Sequence, residues 1–202
     1  MGMRKRVVVT GIGTVNPLGN NLEATWDKAS RGISGITRIT KFDATGFPTQ
    51  IAGEVKDFDP LAYIEKKELK KMDIFIQYAL AACDEAMKMA ELEIPEELGP
   101  DVGVSIGVGI GGLPTIEQYS NIVKERGPKK ITPFFIPMTI SNMASGYISM
   151  KYGAKGYNAT TTSACSSSNH SIGDAARIVE RGDAKIMITG GAESTISSLA
   201  IG

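Results

Sequence analysis

The chain has 202 residues, enough for one domain with a real core. Lysine plus arginine and aspartate plus glutamate number 22 each, so the formal net charge is zero, which argues against a protein built mainly to hold nucleic acid. Cys83 and Cys165 stand far apart without metal-ligand neighbours, so neither a disulfide framework nor a metal site is expected and a cytoplasmic setting is natural.

The N-terminal "VVV" is too short an apolar core for a signal peptide, and no run reaches the length of a membrane span. Myristoylation would need Ser or Thr where Arg6 stands. A second methionine at Met3 suggests that Met1 and Gly2 precede the natural start. Arg6 to Thr10 is β-branched and ends at Gly11 and Gly13, which reads as a buried strand entering a tight turn. Asn20 or Asn21 can cap a helix from Leu22 to Arg31, with Leu22, Trp26 and Ala29 on one face and Gly32 ending it. Residues 33–60 read as irregular, with strand potential around Gln50 to Val55.

Next comes the most helical stretch. Met72, Phe75, Ile76, Ala79, Ala82, Cys83, Ala86 and Met89 recur at three-and-four spacing, until Pro95 and "GPD" stop it. "KKELKK" within it reads as a solvated, mixed-charge face. "DVGVSIGVGIGG" predicts a second buried strand ending in glycines, and Thr115 to Arg126 a helix. "TPFFIP" reads as a loop pinned by Pro133 and Pro137, and Ser141 to Lys151 as a helix of small residues. "YNATTTSA" is strand-like and ends at Cys165. The following helix shows Ile172, Ala175, Ala176 and Val179 on one face and stops at Gly182; "AKIMITGG" is a third buried strand. Strands alternating with helices predict one α/β unit, with a mixed, mostly parallel sheet covered by helices on both faces.

Cys165 is the leading candidate for chemistry. At a strand-to-helix junction a thiol meets the positive end of the helix dipole, which favours the nucleophilic thiolate. Its own N–H can face a reacting carbonyl. A buried, inert thiol is the competing reading, and Cys83, on the apolar face of a long helix, is expected to be one. His170 is the single histidine. If it shares a helix with Cys165, the five-residue spacing leaves the two side chains ~140° apart, beyond the reach a base needs. A bond from His170 to a neighbouring carbonyl is expected instead. Gly107, Gly109 and Gly112 match G-x-G-x-x-G, but Pro114 follows at once and no second strand offers a ribose-binding acid, so no nicotinamide cofactor is expected. These glycines, like Gly11 and Gly13, read as places where backbone passes close to something.

The segment "TTTSACSSSNHSIGDAARIVERGDAKIMITGGAES" strongly resembles the active-site region of β-ketoacyl-acyl carrier protein synthases. The resemblance extends to "RVVVTGIGTVNPLGNN", "GVSIGVGIGGLPTIE" and "GPKKITPFFIPMTISNMASGYISMKYGAKG", in order and spacing, and looks closest to the elongation enzymes, synthase II in particular. It implies the N-terminal half of a thiolase-like fold spanning 1–202, a homodimer, no cofactor or metal, and acyl carrier protein as partner. It also implies that Cys165 takes an acyl group as a thioester before a decarboxylative Claisen condensation with malonyl-carrier protein. Ile110, Phe135 and Ala164 fall at acyl-pocket positions, Phe135 reaching that pocket from the partner subunit. Ala200 stands where many members have glycine. The family's catalytic histidines, supporting lysine and gating phenylalanine belong to a second half of ~200 residues, so this chain alone is expected to be inactive. Two alternatives remain: a non-catalytic acyl-binding or scaffold protein, and a thiolase-type acyltransferase using coenzyme A.

Overall fold

The computed structural model describes residues 6–202; the reading of Met1 to Met3 lies outside them. Its elements in chain order are α1 (Leu22–Ser30), β1 (Ile36–Arg38), β2 (Ile51–Gly53), α2 (Lys66–Leu69), α3 (Ile74–Met89), β3 (Val102–Gly107), α4 (Leu113–Arg126), α5 (Phe135–Thr139), α6 (Met143–Tyr152), β4 (Asn158–Ala159), α7 (Ser167–Arg181), β5 (Ile186–Gly191) and α8 (Ser198–Ile201). Three strands form a wholly parallel sheet in the order β4-β3-β5, with Val102 opposite Ile186 and Val104 opposite Asn158. The short β1 and β2 make a separate antiparallel pair.

All six residues of β3 are buried, and their alternation explains the layers on either side. Val102, Val104 and Ile106 join one apolar cluster with Phe75, Ile76, Ala79, Leu80 and Cys83 of α3 and with Ala144 and Ile148 of α6. The other face carries Gly103, Ser105 and Gly107. Here Ser171 of α7 donates to the Ser105 carbonyl at 2.6 Å, lies 2.8 Å from the Ser105 hydroxyl and reaches Thr189 of β5 at 3.3 Å. One face is therefore cemented by apolar burial and the other by satisfied hydroxyls. Across the strands, Ser145 of α6 accepts the Ile106 N–H and donates to the Ala159 carbonyl, tying β3 to β4.

Helix boundaries follow capping chemistry. Asn21 accepts from the Ala24 N–H, and Asp73 accepts from Phe75, which starts α3 at Ile74 and splits the long helical stretch. Gly153 and Gly182 end α6 and α7 in left-handed conformation.

Several expectations need correcting. Arg6 to Thr10 forms no ladder, and Val8 and Val9 are 62% and 77% exposed. β-Branched residues favour an extended backbone, but a strand also needs a partner edge, and none of the described residues offers one. The next residues do pass close to a neighbour: a Cβ on Gly11 or Gly13 would overlap the carbonyls of Ala86 and Ala82. Trp26 is 70% exposed, and no residue of α1 is buried. "TPFFIP" is not all loop, since Phe135–Thr139 turns helical. Pro137 fits because first-turn N–H groups need no intrahelical partner. In "YNATTTSA" the regular strand covers only Asn158 and Ala159, although the Thr161 carbonyl still accepts the Val108 N–H at 3.1 Å. β5 is half-buried rather than buried. In α7 the inward positions are Ser167, Ser171, Ala175 and Ile178, while Ile172 is exposed, because this helix packs on small and hydroxyl residues.

Burial pushes the Cys83 thiol up to about 12, and burial, then the Asp73 charge, pushes the Tyr78 phenol up to about 12. The ordinary values are 9.0 and 10.0, so above about pH 9 the unfolded chain holds fewer protons than the fold. Urea midpoints are therefore expected to fall as pH rises past about 9 towards 12. Phe75 is fully buried, and Phe75→Ala is expected to cost about 3–5 kcal/mol in the same measurement.

Candidate functional site

The site begins where the sheet ends. Gly107 and Gly191 pair at the C-terminal ends of β3 and β5. A Cβ on Gly107 would overlap the Ser167 carbonyl, and one on Gly191 would overlap the Ser168 side chain. The two glycines therefore let the first turn of α7 rest directly on the strand ends. Cys165 lies two residues before that helix, exposed. The helix has no side-chain N-cap, so its positive end is left open beside the thiol.

The residue before Cys165 is strained. Ala164 has φ +52°, a left-handed conformation that costs a residue with a Cβ roughly 1–2 kcal/mol. Ser167 holds it there. The buried Ser167 hydroxyl accepts the Ser163 N–H at 2.9 Å and donates to the Ala164 carbonyl at 2.7 Å, while the Ser166 and Ser167 N–H groups bond the Ser163 and Ala164 carbonyls. Among the described residues, none accepts from the Cys165 N–H. The turn thus presents a thiol and an uncommitted N–H side by side, an arrangement that suits attack on a carbonyl followed by oxyanion stabilisation.

His170 does not stand where a shared helix would put it, because Cys165 lies outside α7. Its Nδ1 sits 2.7 Å from the Ser163 hydroxyl, so its partner is a side-chain oxygen rather than a carbonyl. Cys83 is buried and its thiol is shifted upward, in keeping with an inert core role.

The glycine-rich turn after β3 lies beside this loop. At Gly109 an added Cβ would stand 3.5 Å from the Ala164 carbonyl oxygen, so Ile110 and Ala164 occupy neighbouring segments. Ile110 is 57% exposed. The N–H groups of Ile110 and Gly111, which a phosphate would need, point at the Glu193 carboxylate, at 2.8 and 3.2 Å. An internal anion therefore fills the cradle that the G-x-G-x-x-G letters suggest. Phe135 lies half-buried on α5 against Tyr119 of α4, with ring centroids 5.2 Å apart. A cavity of about 250 Å³ opens beneath Glu193 and is lined by Lys41, Tyr78 and Ser194 among others; Cys165 is not part of its wall. Among the described residues no cluster of His, Cys, Asp and Glu could hold a metal, and no helix is long and apolar enough to cross a membrane.

The sequence singled out Cys165 by its residues and Ala164 by resemblance, but not Ser167 or Glu193. Ser167, three residues after Ala164, is a local hydroxyl-to-backbone pattern that could have been read. Nothing local signals Glu193, whose partners lie more than eighty residues earlier.

Known proteins resemble the chain throughout. The family model for the beta-ketoacyl synthase N-terminal domain matches residues 4–202. A 3-oxoacyl-[acyl-carrier-protein] synthase 2 of Staphylococcus aureus (strain COL) is 46% identical over 100% of this chain and 49% of its own length. One from Coxiella burnetii (strain RSA 493 / Nine Mile phase I) is 48% identical over 98% of this chain and 48% of its own. The chain thus spans about half the length of these curated relatives. Among solved structures, the ishigamide ketosynthase/chain length factor superposes with a TM-score of 0.87 at 29% identity, covering 98% of this chain and 49% of that one. A ketosynthase bound to the hexaketide, in complex with its type II PKS acyl-carrier protein, gives 0.85 at 28% identity, covering 98% and 54%.

Ser167→Ala leaves the Ser163 N–H without its acceptor, while the Ala164 carbonyl keeps the Ser167 N–H, and is expected to cost about 1–3 kcal/mol in urea unfolding. Ala164→Gly removes the Cβ penalty at φ +52°, and is expected to be neutral or to stabilise by up to about 1 kcal/mol, the reverse of the usual alanine-to-glycine loss.

Proposed function

The chain belongs to the beta-ketoacyl synthase family through its N-terminal domain, and we propose that it supplies the acyl-accepting part of a 3-oxoacyl-[acyl-carrier-protein] synthase of fatty acid biosynthesis. The Cys165 thiolate attacks the thioester carbonyl of an acyl-carrier protein. The oxyanion is met by the Cys165 N–H, and the carrier thiolate leaves, taking up a proton. Malonyl-carrier protein then loses carbon dioxide. Its carbanion attacks the Cys165 thioester, forming the new carbon–carbon bond and releasing the thiolate, and a 3-oxoacyl-carrier protein two carbons longer departs. One observation carries this reading: an exposed cysteine with an open N–H, on a strained turn at a helix N-terminus, in a chain 46–48% identical to synthase 2 enzymes.

On this reading residues 1–202 are the N-terminal domain of a longer enzyme, and the groups that manage decarboxylation lie in its other domain. Surface area supports that division. The chain exposes 11957 Å², against roughly 9,200 Å² for a self-contained monomer of this mass. The excess includes apolar residues such as Val8, Val9, Ile12 and Trp26. A homodimer and an acyl carrier protein partner belong to the same proposal, Phe135 reaching the partner's pocket as Ile110 and Ala164 line this chain's own. Exposed Phe134, Ile136 and Ile140 around α5 are compatible with a second copy there. A cytoplasmic location belongs to the same proposal.

A long-chain acyl electrophile is expected to modify Cys165 at least tenfold faster than Cys83, as read by peptide mass spectrometry; equal labelling would count against the nucleophile. Cys165→Ala is expected to abolish acyl-enzyme formation. The 202-residue chain alone is expected to show no condensation, and to associate with rising concentration in sedimentation velocity.

A further inference from the structure

We propose that Glu193 is a positioning residue that sets the substrate wall beside Cys165, and with it the enzyme's discrimination between acyl lengths. This rests on the reading of Cys165 as the acyl acceptor and of Ile110 and Ala164 as the lining of its acyl pocket. Both Glu193 carboxylate oxygens are used, Oε2 by the Ile110 N–H at 2.8 Å and Oε1 by the Gly111 N–H at 3.2 Å. No lysine or arginine among the described residues forms an ion pair with it, so the turn's two N–H groups are the partners that answer its charge. Charge-assisted bonds of this kind are roughly twice as strong as neutral ones.

The clamp sits where it can be felt at the nucleophile. The position of a Cβ on Gly109 is 2.8 Å from Glu193 Oε2 and 3.5 Å from the Ala164 oxygen, so carboxylate, glycine turn and strained loop meet at one point. Ile110 cannot anchor the turn by burial, being 57% exposed. Gly111, at φ +86°, is held in a conformation that only glycine adopts freely. The far side of the turn is pinned by the Gly112 N–H to the Thr139 carbonyl at 3.1 Å. Buried Val108, its N–H on the Thr161 carbonyl, fixes the entry of the turn and α5 its exit, so loss of the carboxylate would release the Ile110–Gly111 tip between them. The wall would then yield to chains of different length, and discrimination would flatten.

The test is alkylation of Cys165 by N-methyl, N-hexyl and N-dodecyl iodoacetamide, in which the thiolate forms an S–C bond, iodide leaves and the thiol proton passes to buffer. The readout is the ratio of the fastest to the slowest rate across the series, for the unmodified chain, Glu193→Ala and Glu193→Gln. The expected result is a spread reduced at least fivefold in Glu193→Ala. An intermediate reduction is expected in Glu193→Gln, which keeps the shape and one acceptor but sets an N–H donor against a donor. Should Glu193→Ala fail to fold by circular dichroism, the same-sized Glu193→Gln decides alone. An unchanged spread in the folded variants, including an equal slowing of all three probes, overturns the positioning role while leaving Cys165 as acceptor. Failure of Cys165 in the unmodified chain to react ahead of Cys83 overturns both readings together.

Discussion

The structure depends on how closely the first turn of α7 sits on the ends of β3 and β5. That approach is possible only because Gly107 and Gly191 carry no side chain where Ser167 and Ser168 arrive. Below the contact, Ser171 meets Ser105 and Thr189, so the same helix is locked to both strands by hydroxyls. Above it, the chain must reverse sharply to enter the helix, and Ala164 takes the left-handed conformation that this demands. Cys165 inherits its exposure and its open N–H from that reversal. Position and exposure thus have a single cause, the missing side chains at two strand ends.

Much of this was legible because it is written locally. The alternation of "VGVSIG" announces a strand with one bulky and one small face, and the glycines after it announce close approach. The helix from Ser167 to Arg181 ends at Gly182, as its pattern predicts. The illegible parts are those where a local signal competes with a distant partner. Apolar periodicity points to Ile172 and Val179 as the inner face of α7, yet the helix turns Ser167 and Ser171 inward, because the surface awaiting it is made of glycine and hydroxyl. The run from Arg6 to Thr10 has every intrinsic mark of a strand and no described edge to join. Ile110 and Ala164 were chosen by resemblance and do occupy neighbouring segments, whereas the carboxylate that holds the Ile110 turn could not be seen from either.

Glu193 also changes how the glycine motif is understood. A turn with consecutive N–H groups aimed at one point is an anion site by its backbone alone. Here the anion is supplied from the end of β5, so the turn is closed to phosphate and serves as a joint between two segments. The letters of a nucleotide fingerprint can therefore describe a docking cradle for the protein's own side chain. Local context, a proline at once and no acidic partner strand, is what separates the two cases.

The hydroxyl seam has a consequence for the order of assembly. Ser105 and Ser171 are 66 residues apart in sequence, and β3 finds its long parallel partner only when β5 exists. Such non-local pairings must close large loops before they are rewarded, which makes them slow relative to helix formation. On a ribosome the α3 and α6 layer can collapse onto the apolar side of β3 while the opposite side is still bare. The thiol-bearing turn therefore takes shape only once β5 has paired with β3.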